Sequence, residues 1–268
     1  MRSGSEIRSR GTVTLHPTAI VSADAELGEG VEIGPYSMVA GTVKIGPKTR
    51  VGARVQIEGH TTIGAENEIF TGAIVGSRTQ DKKFEGGISF LKIGDRNIIR
   101  EYVTINPGTK DGSETVIGDD NLLMAYVHVA HDCVIRNHTV LANAATLGGH
   151  VGVDDNAIIG GLSGIHQFVR IGKLALIGGC SKVVQDVPPF TLVDGHPARA
   201  YGLNTVGLER KGISDEDQAM LKKAFKSIFK SKLTLKNAIL KIEGFTPTPP
   251  VLVDLLEFLR TSQRGICR

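Results

Sequence analysis

The sequence has 268 residues, 41% of them hydrophobic and 22% charged, enough to bury a core rather than stay disordered. A net charge of +3 without long basic runs argues against a nucleic-acid-binding protein and leaves room for a locally basic surface that receives an acidic partner. Cys133, Cys180 and Cys267 are an odd, widely spaced set with no CxxC pair. That argues against a disulfide framework and a structural zinc site, and it suits a reducing compartment.

No apolar stretch reaches the ~18 residues of a membrane span. The start, Met1-Arg2-Ser3-Gly4-Ser5-Glu6, lacks the apolar middle of a signal peptide. A cytoplasmic protein without membrane insertion is expected. Thirty-three glycines, no tryptophan and 5% aromatics do not describe a core of large interlocking side chains. A repeat is the first alternative.

Residues 1–13 read as an N-terminal tail. From Leu15 onward every sixth residue is apolar: Leu15, Val21, Leu27, Ile33, Val39, and so on to Ile177 and Val183. Of 29 positions in this phase, 26 are Leu, Ile or Val, and the exceptions are Asp81, Gly87 and Asp111. Roughly a quarter would be expected by composition, so the repeat is real. Six fits neither the helical period of 3.6 nor the heptad, but as an even number it is compatible with strands that turn once per sextet. Three sextets make a triangular coil of 18 residues, and coils stack as parallel strands. A mainly β fold, a parallel β-helix over residues 14–190, follows. Gly28, Gly34, Gly46, Gly52, Gly64 and Asn67 are expected at the bends, where glycine and asparagine tolerate unusual backbone angles.

Polar, glycine-containing stretches replace whole sextets at 80–91 and 107–115 without shifting the phase. They read as loops thrown from the corners, where function is commonly carried. After Val187-Pro188-Pro189 the six-period stops, and residues 191–268 read as a C-terminal α-helical domain capping the coil. Ser214 followed by Asp215, Glu216 and Asp217 marks one helix start, with Leu221, Ala224, Phe225, Ile228 and Phe229 on one face. Further helices are predicted after Thr234 and after Pro249-Pro250.

Residues 18 apart lie one coil above each other, so contacts can be read directly. His131, Gly149 and Gln167 form one column, and Asp132, His150 and Phe168 the next. A histidine thus lies beneath a glycine whose N–H no side chain shields. Such a pair suits acyl transfer to a hydroxyl: the base takes the proton and the N–H holds the oxyanion. Cys133 reads as a small packing residue. No GxSxG or GxxxxGK[ST] motif is present, so the glycines do not form a phosphate loop.

The sextets resemble the hexapeptide-repeat acyltransferases, which implies a left-handed coil, an exception to the usual crossover rule. It also implies a homotrimer with active sites between subunits. The resemblance narrows to the UDP-N-acetylglucosamine O-acyltransferases that begin lipid A (lipopolysaccharide) synthesis. It is carried by His16-Pro17-Thr18-Ala19-Ile20-Val21, Gln80-Asp81-x-Lys83, Ile93-Gly94-Asp95-Arg96-Asn97, Asp120-Asn121-Leu122-Leu123-Met124 and His131-Asp132-Cys133. It continues through Gly149-His150-Val151, His166-Gln167-Phe168, Gln185-Asp186-Val187-Pro188-Pro189 and Gly207-Leu208-x-Arg210-Lys211-Gly212. The resemblance implies transfer of an (R)-3-hydroxyacyl group from acyl carrier protein to the 3-hydroxyl of UDP-N-acetylglucosamine, with no metal and no cofactor.

Carried over by residue, His131 resembles the general base and Gly149 the oxyanion amide. Gln80, Asp81 and Lys83 resemble sugar contacts, and His128, Asp132, His150, His166 and Gln167 further substrate contacts. Gly179 resembles a position limiting acyl-chain length, and Asn204 and Arg210 residues at the nucleotide end. Asn106-Pro107 stands where better-known members carry His-Arg, Val206 replaces an acidic residue, and the loop after Gly108 is about one residue shorter. Two rival activities share the repeat. The sister UDP-3-O-acylglucosamine N-acyltransferases carry an extra domain before their repeats, whereas repeats here start by residue 14. A γ-class carbonic anhydrase needs three histidines around zinc and gives no role to the helical segment. A non-catalytic scaffold does not explain the clustered polar groups.

Overall fold

The computed structural model describes residues 12–268, so all but two residues of the expected tail lie outside it. From Thr14 to Val183 the chain is a three-sided prism built of short parallel strands, most only two residues long. Thr14–Leu15 opens face 1, Ile20–Val21 face 2 and Glu26–Leu27 face 3, and each face is one parallel sheet. Pairing is offset by 18 residues, as in Thr14↔Glu32 and Leu15↔Ile33. Across the first loop the offset is 30 (Ile74↔Thr104), and across the second it is 24 (Phe90↔Glu114). The loops therefore add two sextets and one sextet, which is why the phase survives them. Both end earlier than expected, because Phe90–Ile93 and Glu114–Ile117 are already strands.

Each sextet sends two residues inward. The large one is the apolar phase residue. The other, two positions earlier, is small: Val31, Ser37, Val43, Thr49, Val55, Asn67, Ala73 and their equivalents are buried too. Asparagines in this second row stack into a ladder. The Asn97 amide donates to Asn67 Oδ1 (3.0 Å), and Asn97 Oδ1 accepts from the Asn121 backbone (2.9 Å) and amide (3.0 Å). Asn67 thus serves the core and not a bend.

The corners correct the expectation about glycine. The left-handed position of each corner is usually an ordinary residue, such as Tyr36, Lys48, Arg96, Asp132, His150 or Phe168, with φ between 54° and 65°. Gly34, two positions before Tyr36, is needed for a different reason: a Cβ there would lie 2.5 Å from the Gly52 carbonyl oxygen one coil above. Stacking distance excludes the side chain.

Past the prism, residues 191–203 are β and not helical. Thr191–Gly195 adds in parallel to face 1, and Ala198–Leu203 folds back on it antiparallel. Four helices follow: α1 (Thr205–Arg210), α2 (Asp215–Phe229), α3 (Leu235–Glu243) and α4 (Pro250–Thr261). Ser214 caps α2 by accepting from the Asp217 N–H, and Thr234 caps α3 likewise from Asn237. Their apolar faces make a second core with Leu174 and Phe190 at the top of the prism. The chain end returns to the prism, where Ile266 pairs with Asp186. Among the described residues no helix is long and apolar enough to cross a membrane.

Candidate active site

The prism has three edges, and both loops leave from the one joining faces 2 and 3. On that edge, or on face 2 beside it, stand Gln80, Asp81, Lys83, His128, His131, Asp132, Gly149, His150, His166 and Gln167. Gln80, Asp81, Lys83, Asn106, His128, Ala130, His131 and Gln167 line one cleft of about 340 Å³.

His131 is the centre of it. Its Nδ1 lies 2.7 Å from Asp132 Oδ2. An ionised carboxylate can only accept, so Nδ1 carries the proton and Nε2 is left as a base. The ring packs directly under Gly149: a Cβ on that residue would sit 2.4 Å from both Cε1 and Nε2. The Gly149 N–H makes no backbone hydrogen bond among the described residues. The same holds at the equivalent Gly161 and Gly179, but only here does a base stand one coil below. Asp81 Oδ2 faces Nε2 at 3.7 Å, and the Lys83 N–H holds its other oxygen (3.0 Å).

Asp132 is fixed from both sides. Its backbone N–H donates to Thr115 Oγ1 (2.8 Å), and its Oδ2 accepts from the Thr109 N–H (3.2 Å). Burial alone would raise its carboxyl, but hydrogen bonds from His131 and the second loop outweigh that and hold it below the usual range. The His150 ring meets His131 edge-on at 5.1 Å, with Nε2 3.7 Å from Asp132 Oδ2. Burial lowers the pKa of His128 and of His150, which favours the neutral imidazole in both. His128 Nδ1 is paired with Thr104 Oγ1 at 2.7 Å. Cys133 is fully buried with its thiol pushed up to about 12, which suits packing and not nucleophilic attack.

His131, Asp132 and His150 place their donor atoms within 4.8 Å of one another. This is not the three-histidine set that a carbonic anhydrase requires. His128 is turned to Thr104, and His166 lies against the Gln167 carbonyl and Arg264.

Three expected residues lie away from this edge altogether. Gly179 lies on the edge between faces 1 and 2. Asn204 is buried as the cap of α1, its amide donating to the Leu174 carbonyl (2.9 Å) and its Oδ1 accepting from the Gly207 N–H (3.0 Å). Arg210 ends α1. Conversely, the sequence reading missed Thr79, Thr109 and Thr115. Thr79 and Thr109 join the two loops through their hydroxyls at 3.1 Å, and Thr109 and Thr115 clamp Asp132. Thr115 falls in the small inward row of a prism strand, so a second pass along the six-period would have marked it as buried, whereas Thr79 and Thr109 lie in the loops, where the period gives no signal.

Comparison with known proteins narrows what this cleft belongs to. Residues 114–149 match the family described as bacterial transferase hexapeptide (six repeats). Residues 186–267 match the one described as UDP N-acetylglucosamine O-acyltransferase, domain 2. The acyl-[acyl-carrier-protein]–UDP-N-acetylglucosamine O-acyltransferase of Thermodesulfovibrio yellowstonii is 53% identical over 255 residues, 95% of this chain and 99% of that one. The enzyme of the same name from Thiobacillus denitrificans is 49% identical over 256 residues, with the same coverage. The chain belongs to the UDP-N-acetylglucosamine O-acyltransferase family. The solved UDP-N-acetylglucosamine O-acyltransferase (LpxA) of Moraxella catarrhalis superposes with a TM-score of 0.91 at 40% identity, over 95% of this chain and 99% of that one. The prism is thus the family's left-handed parallel β-helix, and the helical segment lies within the residues that match domain 2.

Proposed function

We propose that this chain moves an (R)-3-hydroxyacyl group from acyl carrier protein to the 3-hydroxyl of UDP-N-acetylglucosamine, the first step of lipid A biosynthesis. The observation that carries the reading is the His131 ring held under the Gly149 N–H with Asp132 on its Nδ1. His131 Nε2 takes the hydroxyl proton as the oxygen attacks the thioester carbonyl. The Gly149 N–H donates to the oxyanion that forms. When the tetrahedral intermediate collapses, the C–S bond breaks and the imidazolium returns the proton to the leaving thiolate. Asp132 and Asp81 stabilise that imidazolium while it exists. Gln80, Lys83, His128 and Gln167 hold the sugar in the cleft, with His150 and His166 along its rim.

Gly179 and Arg210 contribute through a second copy of the chain. A Cβ at Gly179 would meet the Gly161 carbonyl oxygen at 3.4 Å and the Gly161 nitrogen at 4.0 Å, ordinary contacts, so nothing among the described residues demands glycine there. A groove shared between copies supplies the demand, with the acyl chain running past Gly179 and the nucleotide near Arg210 and the α1 cap at Asn204. Ile20, Tyr36, Met38, Tyr102, Tyr126 and Leu162 are exposed on face 2 and on its edge with face 1, an apolar strip suited to self-association as a homotrimer. Lys223, Lys226, Lys230 and Lys241 line a cleft between α2 and α3 without a carboxylate, which fits an acidic carrier protein.

The test is to incubate the protein with acyl carrier protein thioesters of several chain lengths and UDP-N-acetylglucosamine, and to weigh the products. The sugar nucleotide should gain one 3-hydroxyacyl group. No mass gain with any donor would sink the reading, and light scattering showing an active monomer would refute the shared groove.

A further inference from the structure

Asp132, His150 and Phe168 occupy the same left-handed corner in three successive coils, with φ of 59°, 61° and 65°. Their side chains therefore leave the edge one above another. Phe168 is half-exposed, and its ring lies flat on His150, with centroids 4.5 Å apart and planes 7° from parallel. The same His150 ring stands nearly perpendicular to His131, with centroids 5.1 Å apart and planes at 88°, and its Nε2 faces Asp132. The contacts thus run in one line: phenyl face, imidazole, then the base and its carboxylate.

We propose that Phe168 is a positioning residue for the catalytic pair. It acts through His150, whose ring plane it fixes, and so keeps His131 braced under Gly149 and Asp132 aligned with Nδ1. The proposal rests on the reading of His131 as general base. The His150 ring has no hydrogen-bond partner among the described residues, since its 3.7 Å approach to Asp132 is too long for one. Without Phe168 its ring would be free to turn about its side-chain bonds. A ring that swings leaves His131 unsupported on that side, and small misplacements of a base are costly in rate. Phe168 forms no wall of the cleft around His131.

The backbone does not object to a test by substitution. Leu162 and Leu174 occupy equivalent left-handed corners, with φ of 57° and 56°, so leucine is accommodated there. Phe168→Leu removes the flat stack and keeps the bulk. It should lower kcat about three- to tenfold, the worth of one aromatic pair, with KM for both substrates and the thermal transition nearly unchanged. Phe168→Tyr keeps the stack and should restore kcat. In a double-mutant cycle, Phe168→Leu should add little on a His150→Gln background, because its route to the base has already been removed. Three outcomes would overturn the proposal: an unchanged kcat in Phe168→Leu, a rise in donor KM at constant kcat, which would make Phe168 a substrate contact, or fully additive losses in the cycle. A wild-type protein with no transferase activity would instead fail the underlying reading, so the two failures are separable.

Discussion

Along the edge joining faces 3 and 1, successive left-handed corners carry Lys48, Glu66, Arg96, Asp120 and His138; along the edge joining faces 2 and 3, they carry Asp132, His150 and Phe168. The backbone is the same and so is the abundance of charge. On the 3–1 edge each group is engaged by a neighbour. Arg96 forks onto Asp120 with two hydrogen bonds of 2.8 and 2.9 Å, Asp95 accepts from the Ala65 N–H, and Asp119 accepts from the Asp95 N–H. On the 2–3 edge the groups are fixed on one side and left open on the other. His131 is held by Asp132 and His128 by Thr104, and both rings line the cleft. A site is marked by polar groups that are oriented yet unsatisfied, not by charge density.

The largest expected contrast lies in His131. His131→Ala should cost ~10²–10⁴-fold in kcat, the usual worth of a positioned base, and leave the thermal transition in place. Steady-state kinetics beside calorimetry would check both halves, and a variant retaining a third of wild-type activity would end the assignment. Gly149→Ala comes next. Gly149 has no left-handed backbone requirement, so alanine strains nothing except the space over His131, where the new methyl would sit 2.4 Å from the ring. The ring must leave its place, and kcat should fall about a hundredfold, as expected when a reacting group is misplaced by an ångström. Unchanged turnover would put the oxyanion donor elsewhere.

How much of this was legible beforehand differs between the two parts of the chain. The prism could be read residue by residue because a fixed period of 18 turns sequence separation into height. The columns His131–Gly149 and Asp132–His150–Phe168 follow from that arithmetic alone. The role given to glycine was misread, since a six-period says where glycines recur but not whether backbone angle or stacking distance requires them. Past residue 190 the period is gone. The strand pair Thr191–Gly195 and Ala198–Leu203 escaped notice because its pairing is set by the last coil beneath it and not by a local pattern. Gly179 and Arg210 could be named from family resemblance, but no spacing rule links them to His131.

The interior offers a stability counterpart to the kinetic predictions. Asn97 is fully buried and bonded to Asn67, Asn121 and the Gly118 carbonyl. Asn97→Ala would orphan several of these groups and should cost about 2–4 kcal/mol of folding stability. Activity per folded molecule should not change. A chemical denaturation curve with the wild-type midpoint would show that water replaces the ladder without penalty.

The smallest effect is expected at Arg96, and it probes the comparison most directly. Its guanidinium is half-exposed among Asp95, Asp119 and Asp120, the densest charge cluster on the 3–1 edge. Exposed ion pairs contribute little and are screened by salt, so Arg96→Ala should lower the melting midpoint slightly at low ionic strength and not at all at high. The hydrogen bond from Arg96 holds the Asp120 carboxyl below its ordinary range. A carboxyl with a depressed pKa in the folded state stabilises the fold above the unfolded value and loses that contribution as pH falls. The difference between wild type and variant should therefore be full near neutral pH, begin to shrink as pH falls through the ordinary carboxylate range near 4, and vanish only once pH has passed through the lower folded value of Asp120. Turnover should be unaffected at either salt concentration, because every group in the cluster is bonded within its own edge. A fall in kcat for Arg96→Ala would mean that the 3–1 edge is more than structural and that engagement by neighbours does not separate the two edges.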